Sequence, residues 1–200
     1  YKKLILMKLN ISFANFKKNH KNKKDQIIFT SKKCSNYSKV ENLFRFLLVK
    51  KNSFIFESVE KGKIRGRYTI IGFNPDRIWN INKSSIDFIL QGKKKKIRAK
   101  PLNFLNNLLS KFNTKIPKGL PKMASMLVGY FSYDVIRYIE KIPDKCKNDL
   151  RLPDVRLSRP RSLIIYDNLK KRIYYIENIF SDTPIKNYFK EYQLIKNNFD

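Results

Sequence analysis

Ser162-Leu163-Ile164-Ile165-Tyr166-Asp167-Asn168-Leu169-Lys170-Lys171-Arg172-Ile173-Tyr174-Tyr175-Ile176 sets two apolar runs, 162–166 and 172–176, on either side of a polar turn. Asp and Asn side chains hydrogen-bond to nearby backbone and favour turns, whereas isoleucine and tyrosine suit a pleated surface. The pattern predicts a β-hairpin. Working outward, 53–59 and 68–73 read as strands, and Asn74-Pro75-Asp76 reads as the turn that ends the second. Residues 77–81 form a third extended piece with 86–90 as its partner, and Gln91-Gly92 turns the chain into 93–98. That last run is rich in lysine and suits a solvated edge, where charge discourages strand-to-strand aggregation.

Helical spacing appears three times. Ser38 and Glu41 have the spacing of a capping box, with Val40, Leu43, Phe44, Leu47 and Leu48 on one face behind them. Pro101 occupies a favoured first helical position ahead of Leu102, Leu105, Leu108, Leu109 and Phe112. Pro184 is expected to open a last helix carrying Ile185, Tyr188, Phe189, Tyr192, Ile195 and Phe199. Between the last two, 123–131 reads as a buried strand, 133–139 as a short helix and 143–160 as a polar connection. Residues 1–35 read as a basic, irregular segment broken only by a strand at 26–30. Hairpins kept apart from helices predict an α+β fold, a mainly antiparallel sheet with packed helices, in a domain spanning 36–200.

The totals bound the function. A chain of 200 residues with 42% hydrophobic and 14% aromatic residues can bury a core and is not disordered by composition. Its formal charge of +28 raises the question of a nucleic-acid partner. The lysines, however, are scattered among asparagines, as AT-rich codons would scatter them. The dense runs 17–24 and 93–96 lack the interleaved aromatics that stack on bases. No nucleic-acid partner is therefore expected. Cys34 and Cys146 lack metal or redox spacing and read as free thiols of a reducing compartment. His20 is the single histidine, which leaves little room for histidine-based catalysis. The apolar scrap at 4–7 falls far short of the roughly 20 residues of a spanning helix. No membrane association and a cytoplasmic location are expected.

Taken alone, the residues declare no reaction. Gly62 and Gly66 are too sparse for a phosphate loop, and no nucleophile elbow or carboxylate pair stands out. Glu57 and Ser58 could make a small polar site over the apolar base Phe54, Ile55 and Phe56, or could simply end a strand. Adjacent strand residues face opposite ways, so only one of the pair faces the core side.

Three blocks, in order, carry a resemblance. The first is Ser53-Phe54-Ile55-Phe56-Glu57-Ser58-Val59-Glu60, then Gly66-Arg67-Tyr68-Thr69-Ile70-Ile71-Gly72-Phe73-Asn74-Pro75-Asp76. The second is Val128-Gly129-Tyr130-Phe131-Ser132-Tyr133-Asp134 with Arg137-Tyr138-Ile139-Glu140. The third is Leu152-Pro153-Asp154-Val155-Arg156, Arg159-Pro160-Arg161-Ser162-Leu163 and Tyr166-Asp167-Asn168. Together they resemble the amino-terminal region of anthranilate synthase component I, the large subunit.

The resemblance implies the fold of the chorismate-utilising enzymes. It also implies a lyase of tryptophan biosynthesis that converts chorismate and ammonia, with Mg2+, into anthranilate and pyruvate. Its partner is the glutamine amidotransferase subunit (component II), which supplies the ammonia, so a hetero-oligomer is expected. L-tryptophan is the feedback inhibitor. The family's Leu-Leu-Glu-Ser motif contributes to the inhibitor site, and its serine matches Ser58, with Glu57 beside it. Here the motif reads Phe-Glu-Ser, without the leucine pair, and Ser132 stands where the family commonly has glycine. The family's chorismate and Mg2+ residues lie in a carboxy-terminal region beyond Asp200. The chain is therefore expected to hold no catalytic residue and to be inactive by itself. Two other readings stand beside this one: aminodeoxychorismate synthase component I of folate synthesis, and a basic nucleic-acid-binding module.

Overall fold

In the computed structural model, which describes residues 9–57, 66–90, 92–143 and 150–199, fourteen stretches carry regular structure, twelve of them strands or α-helices. The strands are β1 (Gln26–Lys33), β2 (Phe54–Glu57), β3 (Tyr68–Asn82), β4 (Ser85–Leu90), β5 (Lys93–Ile97), β6 (Val128–Phe131), β7 (Val155–Asp167) and β8 (Arg172–Ile179). The helices are α1 (Phe13–Lys21), α2 (Tyr37–Leu48), α3 (Pro101–Lys111) and α4 (Tyr188–Phe199), with short 3-10 turns at Lys122–Ala124 and Tyr133–Tyr138. The fold is α+β, as the sequence implied. Hydrogen-bonded neighbours run β1-β8-β7-β3-β4-β5, with β2 on β3 and β6 on β7. The pairs β1–β8, β2–β3, β3–β4, β4–β5, β6–β7 and β7–β8 are antiparallel.

The hairpin at 162–176 is the β7–β8 ladder, with Ser162 opposite Glu177 and Asp167 opposite Arg172. Its turn is set by Asp167, whose Oδ1 accepts from the backbone N–H groups of Leu169 and Lys170, both at 3.0 Å. Lys171 then takes φ 48°, closing the loop.

The chain divides into two compact units. One comprises 1–74, 114–125 and 160–200; the other comprises 75–113 and 126–159. In the first, Val40, Phe44 and Leu47 of α2 pack on Ile71, Ile164, Tyr166 and Ile173. A second cluster there joins Phe16 of α1, Ile28 of β1, Ile179 of β8, and Ile195 and Phe199 of α4. In the other unit, Leu105 of α3 packs with Trp79, Ile81, Ile86, Val155 and Leu157. Each such side chain contributes about 1.5–3 kcal/mol of burial.

Several expectations are corrected. The segment 1–35 is not irregular: among its described residues α1 and β1 are formed, and β1 pairs with β8 along its full length. Phe16 and His20 of α1 are buried, His20 through contacts at 3.0 Å with the Tyr188 hydroxyl and the Thr183 carbonyl. These partners lie more than 160 residues away, so local composition concealed them. Helix α2 is capped by Asn36, whose Oδ1 accepts from the Lys39 N–H, while Ser38 lies inside the helix. Asn74-Pro75-Asp76 does not end a strand. Asn74 adopts φ 50°, yet β3 continues through it to Asn82.

The buried strand expected at 123–131 shrinks to β6, where Phe131 is 56% exposed. The connection expected to run to 160 contains the first half of β7. Pro160 falls between the stretch paired with β6 (155–158) and the stretch paired with β8 (162–167), where a missing N–H is tolerated. Helix α4 starts at Tyr188 rather than Pro184, because Asn187 Oδ1 caps it by accepting from the Lys190 N–H at 3.0 Å. The lysine-rich strand is β5, exposed throughout, with Lys94 bridging to Asp87 at 3.2 Å. No helix among the described residues is long and apolar enough to cross a membrane.

Candidate functional site

Ser58 lies outside the described residues, and so does Cys146. Glu57 is the last residue of β2, opposite Thr69 of β3. Its side chain is exposed and its Oε1 accepts from the hydroxyl of Tyr37, the first residue of α2. Partial burial, then this hydrogen bond to Glu57, pushes the Tyr37 hydroxyl above its ordinary pKa, while Thr69 pulls the other way. The Tyr37 ring leans on Tyr166, with centroids 5.6 Å apart, and the Tyr166 hydroxyl donates to the Cys34 carbonyl at 3.1 Å. An ionised carboxylate has about four acceptor positions. Glu57 is thus steadied by Tyr37 and can still receive a donor.

The apolar base expected beneath this pair is only partly there. Phe54 and Ile55 are half-buried, but Phe56 is 47% exposed. Phe54 and Phe56 lie with ring centroids 5.0 Å apart. Phe54 lies over Gly72, where any Cβ would collide with its ring. That close approach is what this glycine permits.

Just before β3, Arg67 grips Asp167 with two hydrogen bonds, 3.0 Å from Nε and 2.7 Å from the terminal nitrogen. Its guanidinium also lies 4.8 Å from the centroid of the Tyr68 ring. Burial pushes the Asp167 carboxyl up, but the Arg67 hydrogen bonds and the N–H groups of Lys170 and Leu169 outweigh it and hold the group below its usual range. Arg67 therefore holds the sheet through a carboxylate partner.

The blocks that carry the resemblance are tied to one another by polar contacts. Asn74 Nδ2 lies 3.5 Å from Ser162 Oγ, and Asn168 bonds through its backbone and side chain to the carbonyls of Arg67 and Gly66. In the other unit, Arg159 and Asp76 form a buried pair, with Nε to Oδ1 at 2.9 Å. There too the Tyr138 hydroxyl donates to Asp154 at 2.7 Å, and burial with that carboxylate raises its pKa.

Sequence reasoning missed one polar centre. Glu177 of β8 is buried and accepts from Ser162 Oγ at 2.6 Å, Arg161 Nε at 3.2 Å and Asn198 Nδ2 at 3.4 Å. Burial pushes its carboxyl above the usual range against the pull of Arg161, Ser162 and Asn198. The only signal was a lone acidic residue on an inward-facing strand position, and its partners come from β7 and α4. Among the described residues no three His, Cys, Asp or Glu side chains gather as a metal ligand set.

The family model described as chorismate binding enzyme matches residues 51–195. Anthranilate synthase component 1 of Cereibacter sphaeroides is 29% identical over 167 residues, covering 81% of this chain and 33% of that protein. The Saccharomyces cerevisiae protein of the same name is 34% identical over 133 residues, covering 65% of this chain and 24% of its own length. Among solved structures, anthranilate synthase component I from Streptococcus pneumoniae TIGR4 matches with a TM-score of 0.48 and 19% identity, covering 80% of this chain and 34% of that one. The chain thus spans about a quarter to a third of the length of such relatives. With the model matching most of its length, the chain belongs to the chorismate binding enzyme family.

Proposed function

We propose that this chain is the tryptophan-sensing, amino-terminal portion of an anthranilate synthase large subunit. The complete enzyme converts chorismate and ammonia, with Mg2+, into anthranilate and pyruvate in the cytoplasm, the ammonia coming from a glutamine amidotransferase partner. Similarity to several component 1 proteins supports this reading. The sensing role rests on one observation: Glu57 is the last residue of β2, its exposed carboxylate braced by Tyr37, and Ser58 follows it in sequence.

The chemistry suits the head group of an amino acid. Glu57 has acceptor capacity left for an ammonium, and a serine hydroxyl can donate to a carboxylate. Phe54 and Phe56 offer aromatic surface to an indole. Catalysis is assigned to the part of the enzyme that binds chorismate and Mg2+, so the chain by itself senses the inhibitor and does not turn over substrate.

The test is calorimetric titration of L-tryptophan into the 200-residue chain, with L-alanine as control. Saturable heat with tryptophan, weakened about tenfold or more by Glu57→Gln, is expected. Equal affinity of the variant and the unaltered chain would remove Glu57 from the site. Absence of tryptophan binding would remove the sensing role.

A further inference from the structure

A cleft of about 170 Å³ opens beside the buried Glu177, in the unit that contains α2 and α4. Leu43, Leu47, Phe73, Ile164 and Tyr175 give it apolar walls, and Lys50, Asn74, Ser162, Glu177 and Asn198 supply its polar groups. The proposed tryptophan site does not use it. We propose that this cleft binds a small organic ammonium, a primary amine carrying one ring or a branched hydrocarbon, with Glu177 as its anchor.

Charge balance is the first argument. Arg161 is the cation bonded to Glu177, and it is shared with Glu191 of α4. Among the described residues one guanidinium thus serves two carboxylates, and burial already pushes the Glu177 carboxyl up, so a bound cation would take the place of a proton there. A buried charge is screened far less than an exposed one. The nearby Lys50 is exposed, and its ammonium rests 4.8 Å from the centroid of the Phe73 ring, so its repulsion of a cation is screened by solvent.

Acceptor capacity is the second argument. Glu177 accepts from Ser162, Arg161 and Asn198, the last at a long 3.4 Å. A carboxylate has about four acceptor sites, so one donor can still be received. Asn74 is linked to the same carboxylate through Ser162, so the polar groups form one oriented network.

Size and lining set the rest of the ligand. A dry apolar cavity of about 150 Å³ accommodates benzene. The cleft therefore takes a ring or a branched chain and offers little room for a fused ring system. A neutral hydrocarbon would leave the carboxylate uncompensated, and an anion would be repelled by it.

The test compares benzylammonium chloride, benzyl alcohol and ammonium chloride as ligands of the whole chain, read by chemical-shift titration of backbone amides around Glu177 and by thermal shift. Benzylammonium is expected to saturate at millimolar concentration. Benzyl alcohol should bind about tenfold or more weakly, because it lacks the charge-assisted hydrogen bond. Ammonium chloride, which has no hydrocarbon to bury, should show no saturation. Glu177→Gln should lose the preference for the amine over the alcohol, and Lys50→Gln should keep or strengthen it. Equal binding of amine and alcohol to the unaltered chain would overturn the proposal, as would absence of any saturable shift. The ligand comparison needs no variant, so the result stands even if Glu177→Gln fails to fold.

Discussion

Arg67 and Asp167 meet through two parallel hydrogen bonds, 3.0 and 2.7 Å long, although one hundred residues separate them in the chain. The pair clamps the start of β3 to the end of β7, next to the hairpin turn that Asp167 also organises. One carboxylate therefore serves both a long-range ion pair and a local turn.

That double role predicts an acid-sensitive fold. The Asp167 carboxyl lies below its ordinary value in the folded chain, so its contribution is fully present above the unfolded value of about 4. It is lost as pH falls through the lowered folded value. Chemical unfolding followed from pH 7 to pH 2 should show stability falling at the acid end, and Asp167→Asn should flatten that part of the profile. An unaltered acid profile in the variant would contradict the assignment.

The pair Arg159–Asp76 is the opposite case, because both side chains are buried. Removing one partner takes a two-point charge-assisted contact away from a charge held in the interior. Asp76→Ala should therefore cost about 3–5 kcal/mol in urea unfolding. Replacing both residues with apolar ones of similar volume should recover most of that loss. Equal losses in the single and double variants would show that the charge is not what matters.

Phe44 carries the α2 side of the first unit's core and is 2% exposed. Phe44→Ala should cost about 3–5 kcal/mol, whereas Phe46→Ala, on the exposed face at 69% exposure, should cost little. Similar unfolding midpoints for the two would mean that α2 does not pack as described.

The lysines of β5 are exposed and belong to an edge, with no aromatic stacking surface among them. Any attraction to DNA or RNA should be weak and collapse with salt. Filter binding at 50 and 200 mM salt checks this. A complex that keeps its affinity across that range and prefers one sequence would contradict it.

Much of this architecture was legible because it is local. The β7–β8 hairpin announces itself through two apolar runs and a turn, and the α3 start through Pro101 at its first position. What escaped depended on distant partners. Helix α1 looks like a lysine-rich scrap until Phe16 and His20 find α4. Pro160 looks like punctuation until β6 and β8 pair on either side of it. Asn74-Pro75 looks like a stop, but Asn tolerates the left-handed backbone and lets β3 run on. The site was legible only in part. Glu57 stood out on its strand, yet nothing local foretold its bond to Tyr37 or the gathering of Ser162, Arg161 and Asn198 around Glu177.

The central claim is that the chain senses tryptophan through Glu57 and Ser58. The most direct measurement is the inhibition curve of the complete protein, assayed for anthranilate formation from chorismate with Mg2+ and ammonium, for Ser58→Phe against the unaltered protein. The substitution removes the hydroxyl proposed to meet the ligand and adds a bulky ring in its place. The account predicts that turnover persists while half-inhibition by L-tryptophan moves to concentrations about tenfold higher or more. An unchanged half-inhibition concentration with full activity would contradict it.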